Sequence, residues 1–171
     1  LGDLEFYTRV GRQQAIPAYM TPQSQAWLHN SMDFMEDCLY TQAIEPGWQI
    51  ELGSVKITAL EVTHHPGTIG LLFETPGGRR TAYISDTGPL PAATLDLIRG
   101  VDTLILGATF NGSNWMPDTH LSIDEGIQIG QQAKPGKLIL THVSMHHDTP
   151  ITSRDLEAYI RSYGDNFHLA Y

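Results

Sequence analysis

The hydrophobic positions change rhythm along the chain. From Val55 to Val62 they alternate and then run together, with many β-branched residues, which predicts a strand. Thr68–Thr75 (TIGLLFET) predicts a second strand. A Pro76-Gly77-Gly78 turn follows, and Arg80–Ser85 (RTAYIS) completes a hairpin. Strand and helix then alternate. Pro91–Arg99 reads as a helix with Gly100 at its C-cap, and Thr103–Gly107 as a buried strand. Ser122 and Glu125 stand at capping-box spacing and open a helix through Ala133. Lys137–Val143 is the next buried strand, Thr152 and Asp155 cap a helix through Tyr163, and Phe167–Tyr171 begins a last strand. Ahead of the hairpin, Ile16–Met20 reads as a short strand. Thr21-Pro22 provides a cap and a first helical proline for a helix over Gln23–Asn30, and Leu39–Ile44 reads as a strand ended by Glu45-Pro46-Gly47. Hairpins followed by strand–helix units predict an α/β fold of mixed sheet covered by helices. Its chemistry is expected where loops leave the C-terminal ends of strands. No repeat or low-complexity stretch interrupts the pattern, and a chain of 171 residues suits one domain over 1–171.

Charge and cysteine content narrow the picture. With 10 basic and 19 acidic residues the net charge is -9, which repels a phosphate backbone and disfavours nucleic acid as a partner. A small anionic substrate held through cations remains open. The single cysteine, Cys38, has no intramolecular partner and is expected to be inert, and a cytoplasmic location is the simplest reading. No apolar stretch approaches the ~18 residues of a membrane span. The opening LGDLEFYTRVGRQQ lacks an initiator methionine and a signal-peptide layout. It reads as the middle of a domain, so the chain is expected to be part of a longer protein.

Four polar segments carry candidate chemistry. They are Thr63-His64-His65-Pro66-Gly67, Ser85-Asp86-Thr87-Gly88, Pro117-Asp118-Thr119-His120, and the run from Thr141-His142 to His146-His147-Asp148. Imidazole nitrogens and carboxylate oxygens are the natural ligands of zinc, manganese and iron. A carboxylate can also bridge two cations, and Asp86 lies between His64 and His142 in chain order. Plain readings stand beside these: a hydrogen-bonded histidine after a strand, Asp86 as a turn residue, His120 packed on the following helix, and His146, His147 and Asp148 solvated. His65 is an alternative to His64, while His29 and His168 read as structural. No HExxH, CxxC, GxGxxG, Walker or GxSxG pattern occurs.

The landmarks THHPGTIGLLFET, RRTAYISDTGPLP, DTHLSIDEG and KLILTHVS, in this order over about Leu60–Tyr171, resemble the metallo-β-lactamase-fold hydrolases. Within that family they are most similar to the phosphodiesterases that open a ribosyl cyclic phosphate in the bacterial carbon–phosphorus lyase pathway. The resemblance implies a four-layer αββα fold of which this chain is the C-terminal portion. It implies His64, Asp86 and His142 as metal ligands, with Asp86 bridging two divalent ions, Mn2+ or Zn2+. His120 would stand beside the substrate and protonate the leaving oxygen. The implied activity is hydrolysis of a small, cyclic phosphodiester by a metal-bridging hydroxide, and a homodimer is the implied assembly. The family's HxHxDH motif is absent from the chain, so the remaining ligands are expected ahead of Leu1. The alternatives are an RNA-processing nuclease, a thioester or lactone hydrolase of the same fold, or a non-catalytic binding fragment.

Overall fold

The computed structural model describes residues 2–144 and 147–170. Contacts divide the chain into two units, Leu1–Glu45 and Pro46–Tyr171.

The first unit begins with helix α1 (Gly2–Phe6), which continues as a π-helical turn over Tyr7–Arg12. Strand β1 (Ile16–Met20) and helix α2 (Pro22–Ser31) follow, then a 3-10 helix over Asp33–Cys38 and strand β2 (Leu39–Ala43). The expected cap is present, with Thr21 Oγ1 accepting from Ser24 N at 3.4 Å and Pro22 opening the helix. β1 and β2 pair in parallel, from Ile16↔Leu39 to Met20↔Ala43, across the α2 connection. Leu28, Met35 and Cys38 form a small buried cluster, and Cys38 is a free thiol.

The second unit is built on one seven-stranded sheet whose strands follow in chain order. They are β3 (Gln49–Leu52), β4 (Val55–Glu61), β5 (Ile69–Glu74), β6 (Arg80–Ile84), β7 (Thr103–Gly107), β8 (Lys137–Thr141) and β9 (Phe167–Leu169). Pairing is antiparallel from β3 to β6 and parallel from β6 to β9. The change of direction has a simple cause. Short turns and the loop 62–68, none of them helical, join β3 to β6, whereas α3 (Ala92–Leu97), α4 (Ile123–Ala133) and α5 (Ser153–Arg161) bring the chain back to start each later strand in the same direction.

The capping box at α4 forms as expected: Ser122 Oγ accepts from Glu125 N at 3.2 Å and Glu125 Oε2 accepts from Ser122 N at 2.7 Å. Thr152 Oγ1 likewise accepts from Asp155 N to start α5. One core holds the sheet to its helices. Ile84, Leu104, Leu106, Leu138 and Leu140 are fully buried on the strands, against Ile98, Ile123, Ile127 and Ile160. Each such side chain contributes about 1.5–3 kcal/mol of apolar burial.

Several boundaries differ from expectation. β3 is an additional strand, polar and largely exposed, whose ladder comes entirely from β4. β8 stops at Thr141 rather than Val143, because His142 adopts a left-handed φ of 61° that an extended strand cannot continue through. The predicted helix over Pro91–Arg99 contracts to Ala92–Leu97, and Ile98–Gly100 form a turn closed by Gly100 at a φ of 67°. Met145, His146 and Tyr171, included in the sequence reading, lie outside the described residues. Among the described residues no helix is long and apolar enough to cross a membrane.

Candidate metal centre

Strand direction decides which loops meet. β4 and β6 are both antiparallel to β5, so they point the same way, and β6, β7 and β8 are mutually parallel. The C-terminal ends of β4, β6, β7 and β8 therefore share one edge of the sheet. His64 follows β4, Asp86 follows β6, His142 follows β8, and His120 lies in the connection from β7 to α4. Ile84, Leu106 and Leu140 occupy one rung across the three parallel strands. Asp86 and His142 each stand two residues past that rung, on either side of Gly107-Ala108.

Ligand atoms of His64, Asp86 and His120 all lie within 4.8 Å of one another. His142 Nε2 lies 3.0 Å from Asp86 Oδ1. The His120 ring stacks on the His142 ring with centroids 5.9 Å apart and meets the His64 ring edge-on at 5.0 Å. In His64 and His120 the Nδ1 atom is engaged, by Thr68 Oγ1 at 3.1 Å and Thr119 Oγ1 at 3.0 Å. This leaves Nε2 as the nitrogen available to the cluster. His64 Nε2 is buried and has no hydrogen-bond partner. A buried polar atom without a partner costs about 1–3 kcal/mol, and a cation would satisfy it. Asp86 Oδ2 accepts from Ser85 Oγ at 3.0 Å, which orients the carboxylate. Neutral imidazole and carboxylate together suit a divalent cation such as zinc or manganese.

Backbone and side-chain bonds fix the loops. Gly88 N donates to Thr63 O at 2.6 Å, Thr63 N to Thr87 Oγ1 at 3.3 Å, and Thr63 Oγ1 to Pro89 O at 2.6 Å, joining the His64 loop to the Asp86 loop. Ala108 N donates to Thr141 O at 2.8 Å and Ser144 N to Thr109 O at 3.0 Å, joining the β7 end to the His142 loop. Asn114 Nδ2 donates to the His120 carbonyl at 2.8 Å and to Glu125 Oε2 at 2.9 Å, tying His120 to the α4 capping box. The ligand positions are thus preorganised by neighbours that are themselves bonded.

Burial, foremost, holds the His64 imidazole below its ordinary value of 6.5, helped by His120, His65 and His142 and opposed by Asp86. Burial also lowers His120, then His142, with Asp86 opposing. Both rings are therefore neutral at pH 7, the form that binds a cation. Folded, they bind fewer protons than unfolded. Their contribution to stability is full above 6.5 and is lost as the pH falls from there through their lowered folded values. Metal affinity falls over the same window. NMR titration of the metal-free protein is expected to give imidazole midpoints for His64 and His120 below 6.5. Midpoints above that value would contradict the assigned environment.

The structure gathers all four residues singled out in the sequence, with His120 inside the tight triad and His142 against Asp86. His65 packs edge-on against His64 with centroids 4.9 Å apart. His29 pairs with Glu36 within the first unit, and His168 with Glu157 in the second. Asp148, read as solvated, is exposed, and it also accepts from Ser113 N at 2.6 Å and Ser113 Oγ at 2.8 Å, pinning the loop ahead of His120. Nothing in the local sequence signals that link, because it spans 35 residues.

Ribonuclease BN of Escherichia coli (strain K12) is 38% identical over 101 residues, which are 57% of this chain and 33% of that protein. The chain spans about a third of the length of this curated relative. Two solved structures share the fold. A diphosphatase from the PhnP family superposes with a TM-score of 0.78 at 22% identity, covering 99% of this chain and 61% of that one. Zn(2+)-bound PqqB from Methylobacterium extorquens gives 0.77 at 17% identity, covering 100% and 67%. The family model described as the beta-lactamase superfamily domain matches residues 1–143; with the strand order and the histidine–aspartate cluster, this makes the chain a member of the beta-lactamase superfamily.

Proposed function

We propose that the complete protein is a metal-dependent phosphodiesterase acting on small, including cyclic, phosphodiesters, with two divalent cations, Mn2+ or Zn2+, at this site. The observation that carries the reading is the buried, unpartnered His64 Nε2 facing Asp86 and His120 within 4.8 Å. Bound divalent cations supply Lewis acidity and a water that is acidic enough to lose its proton near neutral pH. The chain's own residues do the rest. His64 offers Nε2 as a neutral donor, fixed through Nδ1 by Thr68. Asp86 presents Oδ1 toward His142 and Oδ2 toward Ser85, so its two oxygens face different neighbours and suit a bridging role. His120, held through Nδ1 by Thr119, has Nε2 available to pass a proton to the leaving oxygen. His142 supplies the remaining imidazole against Asp86.

The test is elemental analysis of the full-length protein together with assays on cyclic and simple phosphodiesters. About two cations per chain, with hydrolysis abolished by chelation and restored by Mn2+ or Zn2+, is the expected result. A metal-loaded protein that hydrolyses thioesters or lactones and leaves diesters intact overturns it. A second reading, a ribonuclease, is favoured by the 38% identity to Ribonuclease BN over 101 residues and opposed by the net charge of -9. Cleavage of RNA without turnover of small diesters would select it.

A further inference from the structure

We propose that a cavity between α3 and α4 binds a small organic ammonium ion: an amine whose apolar body lies against the two helices and whose cationic head pairs with Glu125. The inference goes beyond the phosphodiesterase reading and does not depend on it. The cavity has a volume of 280 Å³, at the small end for a ligand pocket. Its walls come from the segment that follows Asp86, from α3 and from α4, and His64, Asp86, His120 and His142 are not among them. It is therefore a site apart from the metal centre.

The lining has an apolar part and a polar part. Leu121 and Ile129 belong to the buried core, and Leu90 and Leu95 pack against it while keeping part of their surface open. These four side chains give a floor on which apolar surface leaves water. Glu125, Gln128 and Gln132 follow at spacings of three and four along α4, so they share the helix face that carries Ile129. One carboxylate and two carboxamides are the polar side chains of the cavity, and no lysine, arginine or histidine lines it.

Glu125 is prepared for a cation. Its Oε2 accepts from Ser122 N at 2.7 Å, Ser122 Oγ at 2.9 Å and Asn114 Nδ2 at 2.9 Å. Burial opposes its charge, but these hydrogen bonds outweigh burial and hold the carboxyl below its ordinary value of 4.5. The side chain is an anion at neutral pH. Among the described residues its donors all reach Oε2, which leaves Oε1 to an incoming group. An ammonium group has three N–H donors and no acceptor, which suits a carboxylate flanked by carboxamide oxygens. A neutral donor gains less, because a charge-assisted hydrogen bond is roughly twice as strong. An anion would meet Glu125 with no cation in the lining to offset it. Arg99 donates to the Gln132 carbonyl but is paired with Asp96. The net charge of -9 further favours a cation.

The test is a methyl NMR titration of the full-length protein. 2-Phenylethylamine is expected to shift the Leu90, Leu95, Leu121 and Ile129 methyl signals saturably. 2-Phenylethanol, with the same body and a neutral head, is expected to bind several-fold more weakly, and 3-phenylpropanoate not at all. Gln128 is exposed on the cavity wall and outside the core, so its charge can be changed without disturbing the fold. Gln128→Glu is expected to tighten the amine and Gln128→Lys to weaken it, each by roughly threefold to fivefold. Glu125→Gln keeps a residue that serves in a capping box and is expected to bring the amine down to the affinity of the alcohol. An amine that binds no better than the alcohol, or an affinity indifferent to the charge at position 128, would overturn the proposal. Shifts confined to the histidine signals of the metal centre would place the amine on the metal site and overturn it as well.

Discussion

Replacing Asp86 with alanine is expected to empty the metal centre and to lower kcat/KM by more than about a hundredfold, beyond the range for residues that only orient a ligand. The carboxylate sits at the meeting point of the cluster. It lies within 4.8 Å of the ligand atoms of both His64 and His120, and its Oδ1 is 3.0 Å from His142 Nε2. Alanine removes the one anionic group among these three imidazoles, the group that the proposed two-cation centre would rely on to span its ions. Asp86→Asn keeps the shape and the Ser85 contact while removing the charge, so it separates charge from geometry. Both variants should fold, because the Asp86 side chain is partly exposed and outside the apolar core. Elemental analysis of the purified variants decides the matter. Full metal content in Asp86→Ala would remove Asp86 from the ligand set.

Gly107→Ala is the second large effect expected, and it acts without touching a ligand. Gly107 ends β7, between the Asp86 and His142 loops. A Cβ there would fall on the Ser85 carbonyl oxygen. The obstacle is backbone, so no side chain can swing aside, and the Ser85-Asp86 segment must move or β7 must separate from β6. Overpacking of this kind costs about 1–3 kcal/mol or more. In a domain of this size that is a fall in Tm of roughly 2–4 °C for each kcal/mol. The displaced carboxylate should also lower metal affinity in the protein that remains folded. Gly77→Ala is the matched control. A Cβ at Gly77, in the turn between β5 and β6, meets only Thr75 Oγ1 at 4.0 Å, and both Tm and metal content should be unchanged. Thermal melts and metal titration of the two variants test this, and equal behaviour would refute the close-approach role of Gly107.

Much of the second unit was legible from sequence because its signals are local. The caps at Ser122 and Thr152 depend on residues three positions apart, and both formed. The buried strands Thr103–Gly107 and Lys137–Thr141 announce themselves as apolar runs bounded by polar residues. β3 was missed because Gln49–Leu52 is short and exposed, and is a strand only by virtue of its pairing with β4. The 3-10 helix over Asp33–Cys38 and the parallel pairing of β1 with β2 were missed for the related reason that neither follows a period of the chain. The end of β8 at Thr141 turns on the left-handed backbone of His142, which an apolar pattern continuing through Val143 conceals.

The candidate site divides the same way. By itself the sequence determined which side-chain types stand just past the strands: His64, Asp86 and His142, with His120 ahead of a capped helix. Their chemistry pointed to a divalent cation before any distance was known. That His64, His120 and His142 converge on Asp86 was decided only by the tertiary structure. Ligation needs atoms within a few Å of each other, and sequence separation carries no such information. The parallel register that sets Ile84, Leu106 and Leu140 on one rung does, because it brings Asp86 and His142 to the same height, beside Gly107, which leaves room for the Ser85-Asp86 backbone.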